Sequence, residues 1–123
     1  MNLIAAWSAI LLGLVSGLVM GLFFHRENWL GGYGSFKRRM YRLGHISFFG
    51  LAATNFFFYV TAQNLPVGNA LVFASRAFII GAVSMPVCCV LMAHFRRAQM
   101  LFAIPVLSLA TGALLTLMEL VKL

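Results

Sequence analysis

Three histidines are the side chains in this sequence best suited to bind a metal or a cofactor. His25, His45 and His94 each stand at the end of a long apolar stretch. Because successive membrane helices run in alternating directions, we expect all three histidines at one depth on one side of a membrane. Histidine is a common metal ligand, and histidines from different helices can hold b-type haem as axial ligands. The pattern predicts a haem or metal site with ligands among these histidines.

Arginines beside the histidines fit the same hypothesis. Arg42, Arg96 and Arg97 lie within one helical turn of a histidine and could bind haem propionates through charge-assisted hydrogen bonds. A second interpretation is that the histidines are ordinary interfacial residues, since amphipathic side chains commonly lie at helix ends near lipid head groups. Zinc is disfavoured because Glu27 is the only carboxylate at that depth and no cysteine lies there. Both interpretations of the histidines stay open.

Long apolar stretches must position these side chains. Hydrophobic residues make up 63% of the 123 residues and charged residues only 9%, and a membrane-spanning helix needs about 20 mostly apolar residues. The stretches lack the alternating pattern of barrel strands. We predict an all-α integral membrane protein, a single domain of four transmembrane helices in an antiparallel bundle with short connections. The predicted helices are Asn2 to Phe24, Leu43 to Gln63, Asn69 to Ala93 and Met100 to Val121.

The basic residues orient the predicted bundle. Of the nine lysines and arginines, seven flank the connections after helices one and three: Arg26, Lys37, Arg38, Arg39, Arg42, Arg96 and Arg97. The positive-inside rule places this side in the cytoplasm of a bacterium with both termini outside, and a mitochondrial inner membrane is the less favoured location. The segment 26–42 mixes aromatic with basic residues and is predicted to lie at the interface, with Ser35 capping a helical extension into helix two.

The net charge of +7 restricts the partners of the chain. Basic residues near a membrane surface attract anionic lipids, which are therefore expected partners. Nucleic-acid binding would need a soluble basic domain, and the predicted spans leave no room for one.

Two charged residues fall inside the predicted spans, Arg76 in helix three and Glu119 in helix four. An unpaired charge in hydrocarbon costs at least about 2.5 kcal/mol. The two residues lie at similar depths, so we predict an ion pair between Arg76 and Glu119. Separate snorkelling of each side chain to the head groups is the alternative.

Small residues at intervals of four predict close packing of helix one. They are Ala5, Ala9, Gly13, Gly17 and Gly21, an extended GxxxG pattern. Each step of four turns the row by about 40° around the helix, so we expect helix one to contact two different surfaces. Gly112 belongs to a second small-residue seam on helix four, and Asn55 is expected to form hydrogen bonds between helices.

The sequence favours binding or assembly over catalysis. Glu27 and Glu119 are the only acidic residues, and no catalytic set of side chains is evident. The leading hypothesis is a small accessory or structural subunit of a larger membrane complex, or a homo-oligomer, packed through its small-residue seams. The first alternative is an electron-transfer or sensing subunit with haem or metal bound by the histidines. The second is a small solute or ion transporter that acts as an oligomer.

Overall fold

The computed structural model describes residues 1–123 and is entirely helical. Its helices are α1 (Asn2–Phe23), α2 (Phe36–Ala62), α3 (Asn69–His94) and α4 (Ala103–Val121). Short 3₁₀ segments occupy Trp29–Gly31 and Arg96–Phe102. The prediction of four helices long and apolar enough to cross a membrane is confirmed.

The second helix has the predicted extension before its membrane span. α2 begins at Phe36, and the predicted cap Ser35 accepts a hydrogen bond from the Arg38 backbone N–H through its hydroxyl. The last seven residues of the predicted interfacial segment 26–42 are therefore the first part of α2.

The helices pack in chain order. α2 packs against α1 and α3, α3 packs against α4, and α1 touches α3 only over a small area. α1 and α4 share no substantial contact, so the predicted bundle is an open row. We call the end with the α1–α2 and α3–α4 connections the basic end, and the end with both termini the opposite end.

Glycines let α3 and α4 approach closely. A methyl group on Gly81 of α3 would overlap the Leu109 side chain of α4, and a methyl group on Gly112 of α4 would lie 3.1 Å from the Phe78 ring. The small-residue seam of α4 thus faces α3 of the same chain.

A buried polar network joins α1, α2 and α3 near the opposite end. Asn2 Nδ2 donates to Asn55 Oδ1 over 2.9 Å, and the Ser75 hydroxyl donates to Asn2 Oδ1. Asn55 Nδ2 donates in turn to the backbone carbonyl oxygens of Leu51 at 3.0 Å and Phe78 at 3.4 Å. An unpaired amide in apolar surroundings is costly, so these bonds fix the register of the three helices.

We expect Asn55→Ala to lower the free energy of unfolding by about 1–2 kcal/mol, because the buried amide N–H of Asn2 on α1 loses its acceptor and the Phe78 carbonyl on α3 loses a donor. Equilibrium unfolding in mixed detergent micelles, followed by circular dichroism, measures this change. Asn64→Ala is the matched control, since Asn64 is exposed and bonds only to the Val60 carbonyl one turn earlier. Equal losses in the two variants would contradict the role of the network.

Candidate functional site

An apolar groove lies between α1 and α3, with α2 at its floor. Its volume is about 490 Å³, within the range of about 300–1,000 Å³ usual for ligand sites. Ser8 is the only residue with a polar side chain among those that line it. Ala5 and Ala9, the first members of the small-residue row, lie on its α1 wall. The groove therefore suits a hydrocarbon chain or another apolar ligand.

The groove adjoins a smaller cavity of about 270 Å³ towards the basic end. The groove and the cavity share Phe48, Pro86 and Val90 as lining residues. We call this cavity the polar end of the groove because it brings together side chains that can form hydrogen bonds. They are Ser16, Trp29, Tyr41 and His45.

A hydrogen bond joins His45 to Ser16 at the polar end. The Ser16 hydroxyl oxygen lies 2.9 Å from His45 Nδ1, and the same hydroxyl donates to the Gly13 carbonyl over 3.0 Å. With Nδ1 engaged in this bond, Nε2 is the ring nitrogen that remains for a ligand.

The glycine row of α1 receives two side chains of α2. A methyl group on Gly17 would lie 2.8 Å from His45 Cε1, and one on Gly13 would lie 2.8 Å from Phe49 Cζ. At Gly21 the same group would meet nothing within 4 Å. Gly21 was predicted to pack closely together with Gly13 and Gly17, but the row turns away from α2 at this end because residues spaced by four wind around a straight helix.

The structure does not gather the three histidines around one cavity. His94 is exposed and its Nε2 lies 2.9 Å from the hydroxyl oxygen of Tyr41, which lines the same cavity as His45. His25 is exposed beyond the end of α1. No three side chains of histidine, cysteine, aspartate or glutamate cluster in a way that could hold a metal ion.

Two of the three arginines proposed to accompany the histidines contact aromatic rings of the basic end. The Arg42 guanidinium carbon lies 4.4 Å from the centre of the Tyr33 ring, and that of Arg96 lies 5.3 Å from the Phe36 ring. Arg97 is exposed. None of the three lines the groove or its polar end.

Arg38 is the residue of most interest that sequence reasoning missed. Only 2% of its surface is exposed, although it sits in a run of basic residues that predicts only membrane topology. The available signal was the set of aromatic residues in the preceding connection, because arginine packs favourably on aromatic faces. Three of these rings enclose its guanidinium: Phe24, Trp29 and Tyr33.

The predicted ion pair between Arg76 and Glu119 is not formed. Glu119 is paired with Lys122, which lies one turn further along α4. Phe78 and Gly81 contact α4 and lie on about the opposite side of α3 from Arg76. Arg76 is therefore directed away from α4, towards an exposed surface. The two charges lie at similar depths, but Arg76 is on the side of α3 that faces away from α4.

Comparisons of the chain with family models, with curated proteins and with solved structures give no match. The function is therefore inferred from the geometry. An apolar groove that ends beside hydrogen-bonding side chains can hold an amphiphilic molecule, and the Nε2 nitrogen of His45 at that end can serve as a ligand.

The glycine row provides a matched test of this packing. We expect Gly17→Ala to lower the free energy of unfolding by about 1–3 kcal/mol, because its methyl group would displace a His45 ring held by Ser16. Gly21→Ala should stabilise the protein by up to about 1 kcal/mol, since its methyl group enters open space and alanine favours the helix. Thermal unfolding in detergent, followed by circular dichroism, compares the two. Similar changes in both variants would contradict the assigned α1–α2 contact.

Proposed function

We propose that this protein is a small accessory subunit of a larger membrane complex and acts by binding rather than by catalysis. The supporting observation is that its polar side chains hold the chain's own helices together. Asn2 bonds to Asn55, and the His45 ring bonds to Ser16. The remaining surface is largely apolar and suited to contacts with other hydrophobic helices.

The outward surface of α4 is the proposed contact with the complex. Only 11% of the most apolar window of the segment 96–121 is buried, the smallest share among the four segments. Exposed residues recur there at alternating steps of four and three, a spacing that suits left-handed packing against another helix. These residues are Ala103, Leu107, Ala110, Leu114, Leu117 and Val121.

Native purification in mild detergent tests this proposal. We expect the protein to be recovered with partner chains or as an oligomer, and Ala110→Trp to weaken that association by blocking close approach on α4. Ala53→Trp places the same side chain on an exposed surface of α2 and should leave the association intact. Recovery of a partner-free monomer, or equal effects of the two substitutions, would overturn the proposal.

The basic residues support an orientation for this subunit. Arg38, Arg42 and Arg96 all lie at the basic end, and positive charge near helix ends is typical of the cytoplasmic side. We propose that the protein resides in a bacterial inner membrane, with its basic end in the cytoplasm beside anionic lipids and both termini outside.

A second candidate function is binding of b-type haem, and the geometry of His45 favours it. Ligating histidines usually engage their second ring nitrogen in a hydrogen bond, as His45 Nδ1 does with Ser16. His45 would supply one axial ligand at the polar end. His94 would supply another only after releasing its hydrogen bond to Tyr41.

Optical spectroscopy tests the haem candidate. Protein purified with its native cofactors should show a Soret band that His45→Ala abolishes. His25→Ala should leave the band unchanged, because His25 lies exposed beyond α1. A colourless preparation without bound metal would exclude this candidate.

The transport hypothesis has the least support. Val83, Val87 and Val90 of α3 line the groove, and they make its wall apolar. An ion or polar solute in such a groove would lose hydration without gaining partners. The same wall is well suited to a hydrocarbon chain.

A further inference from the structure

Arg38 carries a buried positive charge that lacks full hydrogen bonding. Its guanidinium carbon lies 5.1, 5.4 and 5.3 Å from the ring centres of Phe24, Trp29 and Tyr33, which we call the aromatic cage. Its Nη2 donates weakly to the Phe24 carbonyl at 3.4 Å, and its buried Nε has no partner. The rings stabilise the cation through their faces but accept no strong hydrogen bond.

No carboxylate of the chain compensates this charge. The only salt bridge joins Glu119 to Lys122, near the opposite end of the row. Glu27, the other acidic residue, is exposed and forms no salt bridge. A buried cation without a counter-charge costs several kcal/mol, so the aromatic cage favours an anion supplied from outside the chain.

The aromatic cage adjoins the polar end of the groove. The Trp29 ring packs on Arg38 and also lines that cavity. The Tyr33 ring contacts Arg38 and also Arg42, whose guanidinium carbon lies 4.4 Å away. Two guanidinium groups therefore lie around neighbouring rings beside the mouth of an apolar groove.

We propose that the groove between α1 and α3 binds one anionic phospholipid. Its headgroup phosphate lies beside the polar end, where the half-buried Arg42 binds it and where the uncompensated charge of Arg38, behind the aromatic cage, attracts it. An acyl chain lies along the groove, against Phe48 and the valines of α3. The buried, uncompensated charge of Arg38 distinguishes this defined lipid site from the general attraction of anionic lipids to exposed basic residues. The site does not involve the outward surface of α4, so it can hold or fail independently of the proposed subunit role.

Fluorescence quenching by brominated lipids tests the site directly. Trp7 and Trp29 are the only two tryptophans, so Trp7→Phe leaves Trp29 as the single reporter, at the polar end itself. The protein is placed in phosphatidylcholine vesicles that contain either brominated phosphatidylglycerol or brominated phosphatidylcholine. We expect the quenching of Trp29 to show that the protein binds the anionic lipid about five-fold more strongly than the zwitterionic one. Equal quenching by the two lipids would overturn the proposal.

Matched charge variants distinguish the site from diffuse attraction. Arg38→Gln should abolish the preference for phosphatidylglycerol. Arg39→Gln removes the same charge from the next residue, which is exposed, and should keep most of the preference. Equal losses in the two variants would mean that only the general surface charge matters and would refute the Arg38 site.

A groove variant keeps the test decisive if Arg38→Gln fails to fold. Ala82 lines the groove, and Ala82→Phe should weaken the binding of phosphatidylglycerol by occupying the path of the acyl chain, with every basic residue retained. Ala53→Phe adds the same volume on an exposed surface of α2 and should leave the binding unchanged. Unaltered binding in Ala82→Phe would place the lipid elsewhere.

Discussion

The hydrogen bonds among Asn2, Asn55 and Ser75 are the constraint on which the rest of the structure depends. They join the first turn of α1 to α3 through Asn55, two turns before the end of α2, and both asparagines are buried. α1 and α3 are thereby held together at the opposite end, and from Ala5 onwards they are separated by the groove. In hydrocarbon, association of helices depends on packing and hydrogen bonds rather than on the hydrophobic effect. One polar contact can therefore determine where two helices meet.

The basic end is organised by a different interaction, the stacking of arginines on aromatic rings. Phe24 and Trp29 pack on Arg38, and Tyr33 lies between contacts to Arg38 and Arg42. These contacts order the α1–α2 connection without any acidic residue, so the positive charge of this end is retained. An ordinary salt bridge would have stabilised the connection and removed the attraction for anions at the same time. The aromatic cage orders the connection and leaves the positive charge of Arg38 uncompensated.

The sequence predicted the helices well because long apolar runs are a one-dimensional property, and hydropathy alone marks four of them. The cap of α2 was also predictable, because serine is a favoured helix cap, although the first turn contains Lys37 and Arg38 and is too polar to count as membrane span. The position of a residue within an apolar run also gives its depth, which is why Arg76 and Glu119 were expected to form an ion pair. The direction in which each helix faces is set by packing, and it directs Arg76 away from α4. The groove escaped prediction for the same reason, since its walls belong to helices that are not consecutive.

The two occupants considered for the polar end share an anionic group and differ in what they require of His45. Phospholipid phosphate and haem propionate would both compensate Arg38, so the charge of the aromatic cage does not distinguish them. A haem iron would require a nitrogen of the His45 ring as a ligand, and Ser16 already engages Nδ1, which leaves Nε2 for that role. A phospholipid is held by its phosphate beside Arg42 and by its acyl chain along the groove, and it makes no use of this nitrogen. The ring of His45 is therefore essential to one occupant and dispensable to the other, although both compensate the same buried arginine.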